Sequence, residues 1–159
     1  MLSKCIIVVL MGILGILIGK YTTNKIVRKS KYAKDLMLFS DYIKNEMSFK
    51  QTKLTKIIEE YKFNSSELKD DINTFIKMKF AGECVSVASL FENDIKSKIN
   101  GFFDSLGRFD IDTQIDVVDS YRKILHDLSD NLELKTKKEV ALYVKLGFLF
   151  GICLGVIMI

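Results

Sequence analysis

The sequence predicts an all-α protein in which an antiparallel helical bundle lies in the cytoplasm between two transmembrane helices. Three observations support this prediction: an apolar run near each end, a charged middle with helical periodicity, and the absence of proline from all 159 residues. Because proline interrupts helices, its absence permits long ones. We therefore expect a transmembrane helix over residues 1–19, a cytoplasmic helical domain over 20–139 and a second transmembrane helix over 140–159.

The first apolar run extends from Cys5 to Gly19 without a charge. A cleaved signal peptide starts in the same way, with a lysine before an apolar segment. However, no small-residue cleavage pattern follows, and a basic cluster from Lys20 to Lys34 comes next instead. Positive charge on this side holds it in the cytoplasm, so a retained helix with its N-terminus outside is favoured over a cleaved signal.

The second apolar run has no charge from Leu146 onward, and Lys145 stands at its start. Extended back to Val140, it reaches about 30 Å as a helix, which is the thickness of the hydrocarbon core. Lysines outnumber glutamates on the flank that precedes it. The positive-inside rule thus places the preceding residues in the cytoplasm as well, and the two helices agree on one topology.

Glycines recur in both apolar runs at steps of three or four residues. They are Gly12, Gly15 and Gly19 in the first run, and Gly147, Gly151 and Gly155 in the second. In water each would cost about 1 kcal/mol relative to alanine, whereas in lipid such a stripe lets two backbones approach closely. We expect these residues to pack the membrane helices on each other or on neighbouring copies in a homo-oligomer. The alternative is that membrane helices are simply rich in glycine.

The middle of the chain has apolar residues at helical spacing throughout and no sustained strand pattern. The first stripe covers Tyr32–Met47, and Thr52 is expected to cap a second helix. Asn64 and Glu67 have the spacing of a capping box that opens a third. A fourth stripe runs from Val87 to Leu106, and Asn100-Gly101 is the point where it could kink or split.

The clearest turn precedes the last helix. Gly107 suits the left-handed position just past a helix end, and Asp110 suits the N-cap of the next helix, where Asp112 adds favourable negative charge. An apolar stripe follows and meets no stop signal before Gly147. The final cytoplasmic helix is therefore expected to continue almost unbroken into the membrane.

We predict no catalytic, cofactor-binding or metal-binding residues, and hence no enzyme. The spacing Asp110-x-Asp112-x-Gln114 resembles a calcium loop, but Ile115 stands where that loop needs glycine and Tyr121 where it needs a bidentate glutamate.

His126 has no obvious partner for metal binding and is best interpreted as a surface residue. The spacing of Cys5, Cys84 and Cys153 indicates neither a disulfide framework nor a metal site. The net charge of +4 is too small and too mixed to indicate nucleic-acid binding.

Several short motifs, in order along the chain, resemble the stage III sporulation protein AB family of endospore-forming bacteria. They are Glu46-Met47-x-Phe49-x-x-Thr52-x-Leu54, then Leu106-Gly107-x-x-Asp110-x-x-x-Gln114, and finally Tyr143-x-Lys145-Leu146-Gly147-Phe148-Leu149-x-Gly151. The chain departs from the family where Lys53 replaces a frequent proline, and where a common tryptophan is missing.

The resemblance implies a non-enzymatic platform in the channel complex that links the mother cell to the forespore. The family is similar to the helical cytoplasmic domains of type II secretion and type IV pilus platform proteins. The implied partners are a secretion-type ATPase encoded beside this chain and other membrane proteins of the complex. The implied location is the mother-cell membrane around the forespore.

For the ATPase contact we expect exposed polar residues near helix ends rather than the apolar stripes, which the core requires. The candidates are Phe49 and Lys53 in one stretch and Arg108 and Asp112 in the turn, although both stretches could be simple turns. Two other functions stay open: a generic two-anchor membrane scaffold unrelated to sporulation, and a membrane regulator that senses lipid or a small ligand.

Overall fold

The computed structural model describes residues 2–50, 52–83 and 85–157, with side chains described from residue 9 onward. These residues form five helices: α1 (Leu2–Lys50), α2 (Leu54–Glu60), α3 (Ser66–Ala81), α4 (Asn93–Ser105) and α5 (Ile111–Ile157). No strand occurs among them. The predicted all-α class is confirmed, while the bundle arrangement and the first transmembrane helix stay predictions.

The chain divides into two compact units. Met1–Arg28 and Asn131–Ile159 form one, which we call the terminal helix pair, and Lys29–Asp130 forms the other, which we call the central domain. Both units draw on α1 and α5. The division reflects packing, whereas the predicted boundaries at residues 19 and 139 mark membrane edges and stay predictions.

The core of the central domain is built from the apolar stripes that the sequence predicts. In α1, Leu36, Phe39 and Ile43 are fully buried. Phe102 and Phe103 of α4 and Val118 of α5 are buried as well. Aromatic pairs such as Phe75 with Phe103 add edge and tilted ring contacts to this burial.

A buried carboxylate orders the connection between α2 and α3. Asp35 of α1 is only 2% exposed, yet it accepts hydrogen bonds from the backbone amides of Asn64 and Ser65, both at 2.8 Å. The Tyr61 hydroxyl donates to the same carboxylate at 3.0 Å. Burial, with Asp35 close by, raises the pKa of Tyr61. The loop is thus held by donors that all converge on one side chain.

Two predicted N-caps lie one residue from the observed ones. Lys53 is the residue before α2, and its side chain has no acceptor with which to cap the helix. The hydroxyl of Thr52, the predicted cap, donates to Glu46 at 3.3 Å. For α3 the cap is Ser65, whose hydroxyl accepts from the Leu68 amide. Asn64 lies one residue before this cap, and its backbone and side-chain amides both donate to Asp35.

The predicted helical stripe from Val87 is wrong over its first six residues, since α4 begins only at Asn93. Side-chain oxygens hold the backbone amides in this segment: Val87 donates to Asn100 at 2.9 Å and Ala88 to Asp71 at 2.8 Å. Ala88 has a φ of +61°, which is incompatible with a right-handed helix. Local spacing cannot reveal acceptors that lie on other helices.

Asn100-Gly101 does not split α4, which is continuous from Asn93 to Ser105. A Cβ at Gly101 would lie 2.8 Å from the Tyr121 hydroxyl oxygen. The glycine therefore allows α4 and α5 to pack closely, and the predicted split of the helix does not occur.

Candidate helix-packing face and partner-binding turn

Within the terminal helix pair, α1 and α5 run antiparallel and meet at their glycines. A Cβ added to Gly15 would overlap the backbone carbonyl of Gly147, and one added to Gly151 would overlap the carbonyl of Met11. At Gly19 the added atom would lie 2.6 Å from the Tyr143 carbonyl oxygen. The two backbones therefore approach too closely here for any side chain.

Three further glycines complete the predicted set. Gly12 faces a side chain rather than backbone, since its Cβ would lie 3.3 Å from the Phe148 ring. Gly147 faces the Gly15 carbonyl, and Gly155 is buried. The structure thus brings together glycines that the sequence placed on two separate helices.

Large apolar side chains lie on the outside of this pair. Leu14 and Leu17 of α1, and Leu149 and Phe150 of α5, are each at least half exposed. Packing that buries small residues and exposes large apolar ones is unfavourable in water and suits lipid. Among the described residues, α5 is the one helix with a stretch long and apolar enough to span a membrane by length and composition.

Basic residues collect toward the polar part of the terminal helix pair. This unit contains eight basic and two acidic residues, a formal charge of +6, whereas the central domain has 16 basic and 18 acidic residues, or −2. The Thr136 hydroxyl donates to the Ile26 carbonyl at 3.5 Å, so the two helices stay in contact beside the lysines. Cys153 is a free, exposed thiol, while Cys84 and the Cys5 side chain lie outside the described residues.

In the central domain, the turn after α4 has the conformation that the sequence predicts. Gly107 has a φ of +70°, and its amide donates to the Gln114 side-chain oxygen at 2.8 Å. The Lys79 ammonium donates to the carbonyl of buried Leu106, an acceptor left free at the helix end. Three family-motif residues and one lysine therefore close this turn together.

Asp110 and Gln114 both make hydrogen bonds that order the turn. Asp110 precedes α5, and its carboxylate accepts from the Thr113 amide at 3.3 Å. Hydrogen bonds from the side chain and then the backbone of Thr113 lower the pKa of Asp110. The oxygen of Gln114 faces Gly107, and its buried amide nitrogen has no partner among the described residues. Within that part of the chain, no group of three or more potential ligand side chains could hold a metal.

The first motif closes the end of α1. Buried Glu46 accepts from the Lys50 ammonium at 2.8 Å and from the Thr52 hydroxyl, and the hydrogen bond with Lys50 lowers its pKa. The Thr52 amide also donates to the Glu46 carbonyl at 3.4 Å. Glu46 and Thr52 thus fix the path by which the chain leaves α1 and enters α2.

Both motif regions reach the same groove, which the sequence did not predict. Leu54, after the first motif, and Gly107, in the second, line a groove of about 480 Å³. The groove lies between α2 and the second half of α3, where Phe75, Ile76 and Phe80 supply an apolar wall. No sequence spacing could indicate it, because it depends on how α2, α3 and the turn pack together.

The four candidate partner-surface residues are all exposed. Lys53 lies at the groove, Arg108 pairs with Asp104 at 2.8 Å next to it, and Asp112 lies in the first turn of α5. Phe49, near the end of α1, is 84% exposed. Most residues of the apolar stripes are buried in the core, as expected. The apolar residues that line this open groove were not expected to be accessible.

His126 belongs to a polar cluster between α1 and α5. Its ring lies 3.1 Å from Asp41, which also pairs with Arg122, and Arg122 in turn pairs with Asp119. Lys44 donates to Asp119, and this bond lowers the pKa of the carboxyl group. The cluster consists of compensated ion pairs and has the character of a structural contact.

These features define a class: an all-helical protein whose terminal helices have the glycine packing and apolar surface typical of membrane-associated chains. A family model for stage III sporulation protein AB matches residues 4–159. The chain therefore belongs to the stage III sporulation protein AB family. No curated protein and no solved structure matches it.

Proposed function

We propose that this protein is a non-enzymatic membrane platform of the sporulation channel complex, on which a secretion-type ATPase docks. The family places the chain among stage III sporulation proteins. The observation that carries the proposal is α5, which begins at the turn after Asp110 and continues without interruption to its apolar end at Ile157. One helix therefore connects a candidate docking turn with a membrane segment.

In this proposal both terminal helices cross the membrane of the mother cell around the forespore. Support comes from the backbone contacts at Gly15 and Gly19, the exposed leucines outside them, and the +6 charge of the unit. Lysines near the apolar segments would then lie at the cytoplasmic headgroups, each contributing about 1 kcal/mol with anionic lipid. The central domain lies in the cytoplasm, where it meets the ATPase.

The ATPase is expected to contact the side of the domain that carries Lys53 and Arg108. Both cations are exposed, and the motifs next to them fold into turns with fixed hydrogen bonds rather than loose loops. Recognition commonly uses such positioned turns on a helical scaffold. Exposed charge at the interface makes the association sensitive to salt.

The test measures the affinity of the full-length protein, in lipid nanodiscs, for the purified secretion-type ATPase encoded beside it. We expect binding that weakens about tenfold or more from low to high salt and with Arg108→Glu. The matched control is Lys98→Glu, because Lys98 also forms an exposed pair with an aspartate four residues away. No binding at any salt concentration would contradict the partner, and equal effects of the two variants would contradict the surface.

A further inference from the structure

The groove between α2 and α3 is an apolar concavity on the central domain. Its wall is formed by Leu54, Phe75 and Ile76, and its rim by Phe80, a phenylalanine that is 84% exposed. A helical domain of this size normally uses such side chains in its core. Here the ring of Phe80 is exposed to solvent beside an apolar wall. Such an arrangement is typical of surfaces into which a side chain of a partner inserts.

Positive charge surrounds this apolar surface. Lys53 and Lys79 both line the groove, and Arg108 follows Gly107 directly. Arg108 is partly compensated by its pair with Asp104, and Lys79 donates to the Leu106 carbonyl. No Asp or Glu is among the described residues that line the groove. The central domain as a whole has a charge of −2, which makes a basic rim here a local feature.

The turn determines the shape of the groove. A Cβ on Gly107 would lie 2.8 Å from the Lys79 nitrogen and 3.3 Å from a methyl carbon of Leu54. Both the lysine on the rim and the leucine in the wall thus occupy space that only glycine leaves free. Two residues of the family motifs, Leu54 and Gly107, therefore help to shape this groove.

We propose that the groove receives a segment of the docking ATPase in which a large apolar side chain is flanked by carboxylates. The apolar side chain packs between Leu54 and Phe80, and the carboxylates pair with Lys53 and Lys79. Charge complementarity selects an acidic segment, because a basic one would meet like charges on both sides of the groove. This inference rests on the proposed function and specifies the surface and the chemistry that it uses.

The test uses the full-length protein in nanodiscs, with a photoreactive phenylalanine placed at Phe80. The matched control carries the same group at Leu38, an exposed apolar residue on α1 of the same domain. We expect the ATPase to cross-link at position 80 and not at position 38, and mass spectrometry to map the product to an acidic segment with a large apolar residue. In addition, Phe80→Ala should weaken ATPase affinity about fivefold or more, and Leu38→Ala should leave it unchanged.

The possible failures can be told apart. If the unmodified protein binds the ATPase but position 80 cross-links to nothing, to a second copy of this chain or to lipid, the groove is rejected while the proposed function stands. Cross-linking to a basic segment rejects the charge argument. If the unmodified protein does not bind the ATPase at all, both the docking function and this inference are rejected.

Discussion

The terminal helix pair and the central domain bury opposite kinds of residue. In the pair, glycines lie at the contact between α1 and α5, and leucines face outward. In the domain, large side chains such as Phe39 and Phe103 are inside, and charged residues cover the surface. The same two helices take part in both units. The comparison teaches that the same two helices follow two packing patterns: the pattern in the pair suits lipid, and the pattern in the domain suits water.

Polar contacts differ between the two units as well. The central domain contains buried carboxylates with several donors, of which Asp35 is the clearest case. In the terminal helix pair the side chain of buried Thr23 donates back to carbonyls of its own helix, Gly19 and Lys20. Such local bonds satisfy a buried hydroxyl without a partner on another helix. Four predictions follow from the contrast, beginning with the largest expected effect.

Removal of the buried carboxylate should destabilise the central domain alone. Asp35→Ala leaves the buried amide of Ser65 and the part-buried amide of Asn64 without an acceptor, which should cost about 3 kcal/mol. Hydrogen exchange of the full-length protein should speed up across α2 and α3, whereas the terminal helix pair should be unchanged. Asp130→Ala, at an exposed position of α5, is the control with little effect. If exchange accelerated equally in both units, the stability of the terminal helix pair would depend on the Asp35 contacts, and the prediction would be contradicted.

A methyl group at the contact between α1 and α5 should destabilise the terminal helix pair and leave the central domain unchanged. Gly15→Ala places a Cβ against the Gly147 backbone, which cannot rotate away, and should weaken the pair by about 2 kcal/mol. Gly12→Ala is the matched control, because its Cβ meets the movable Phe148 ring. Cysteines at Ile26 and Thr136, in a protein otherwise without cysteine, report the contact through the rate of disulfide formation. Equal rates in the two alanine variants would show that close backbone approach is not what holds the pair.

Alanine substitutions at two glycines with positive φ can distinguish the cost of backbone strain from the cost of lost packing in the central domain. Gly82 and Gly107 have φ of +69° and +70°, but a Cβ at Gly82 meets nothing within 4 Å. Alanine should cost about 1 kcal/mol at either position through strain. At Gly107 it should cost about 1 kcal/mol more, because Lys79 must release the Leu106 carbonyl. Thermal unfolding of the two alanine variants measures this difference in stability. Identical melting temperatures would contradict a packing role for Gly107.

Sequence reasoning identified the features that depend on local spacing. The apolar stripe of α1, the left-handed Gly107 and the position of Asp110 before α5 follow from periodicity and turn chemistry. It placed the start of α4 too early, because Asp71 and Asn100 hold the amides of Ala88 and Val87 from a distance.

The cap of α3 and the groove depend on tertiary contacts. Asn64 is held by Asp35, and the Ser65 hydroxyl is the group that accepts from the Leu68 amide to cap the helix. The groove exists only because Leu54 and Gly107 come together in space. Neither the cap nor the groove can be predicted from the residues of a single stretch of sequence.

The central claim is that both terminal helices lie in lipid while the central domain lies in water. Power-saturation spectroscopy of single spin labels in liposomes tests it directly, with labels at Leu14 of α1, Leu149 of α5 and, as the aqueous reference, exposed Lys123. We predict that oxygen relaxes the labels at Leu14 and Leu149 more than a water-soluble nickel complex does, and that Lys123 shows the reverse. Nickel-dominated relaxation at Leu14 or Leu149 would contradict the account, because that helix would then lie outside the bilayer.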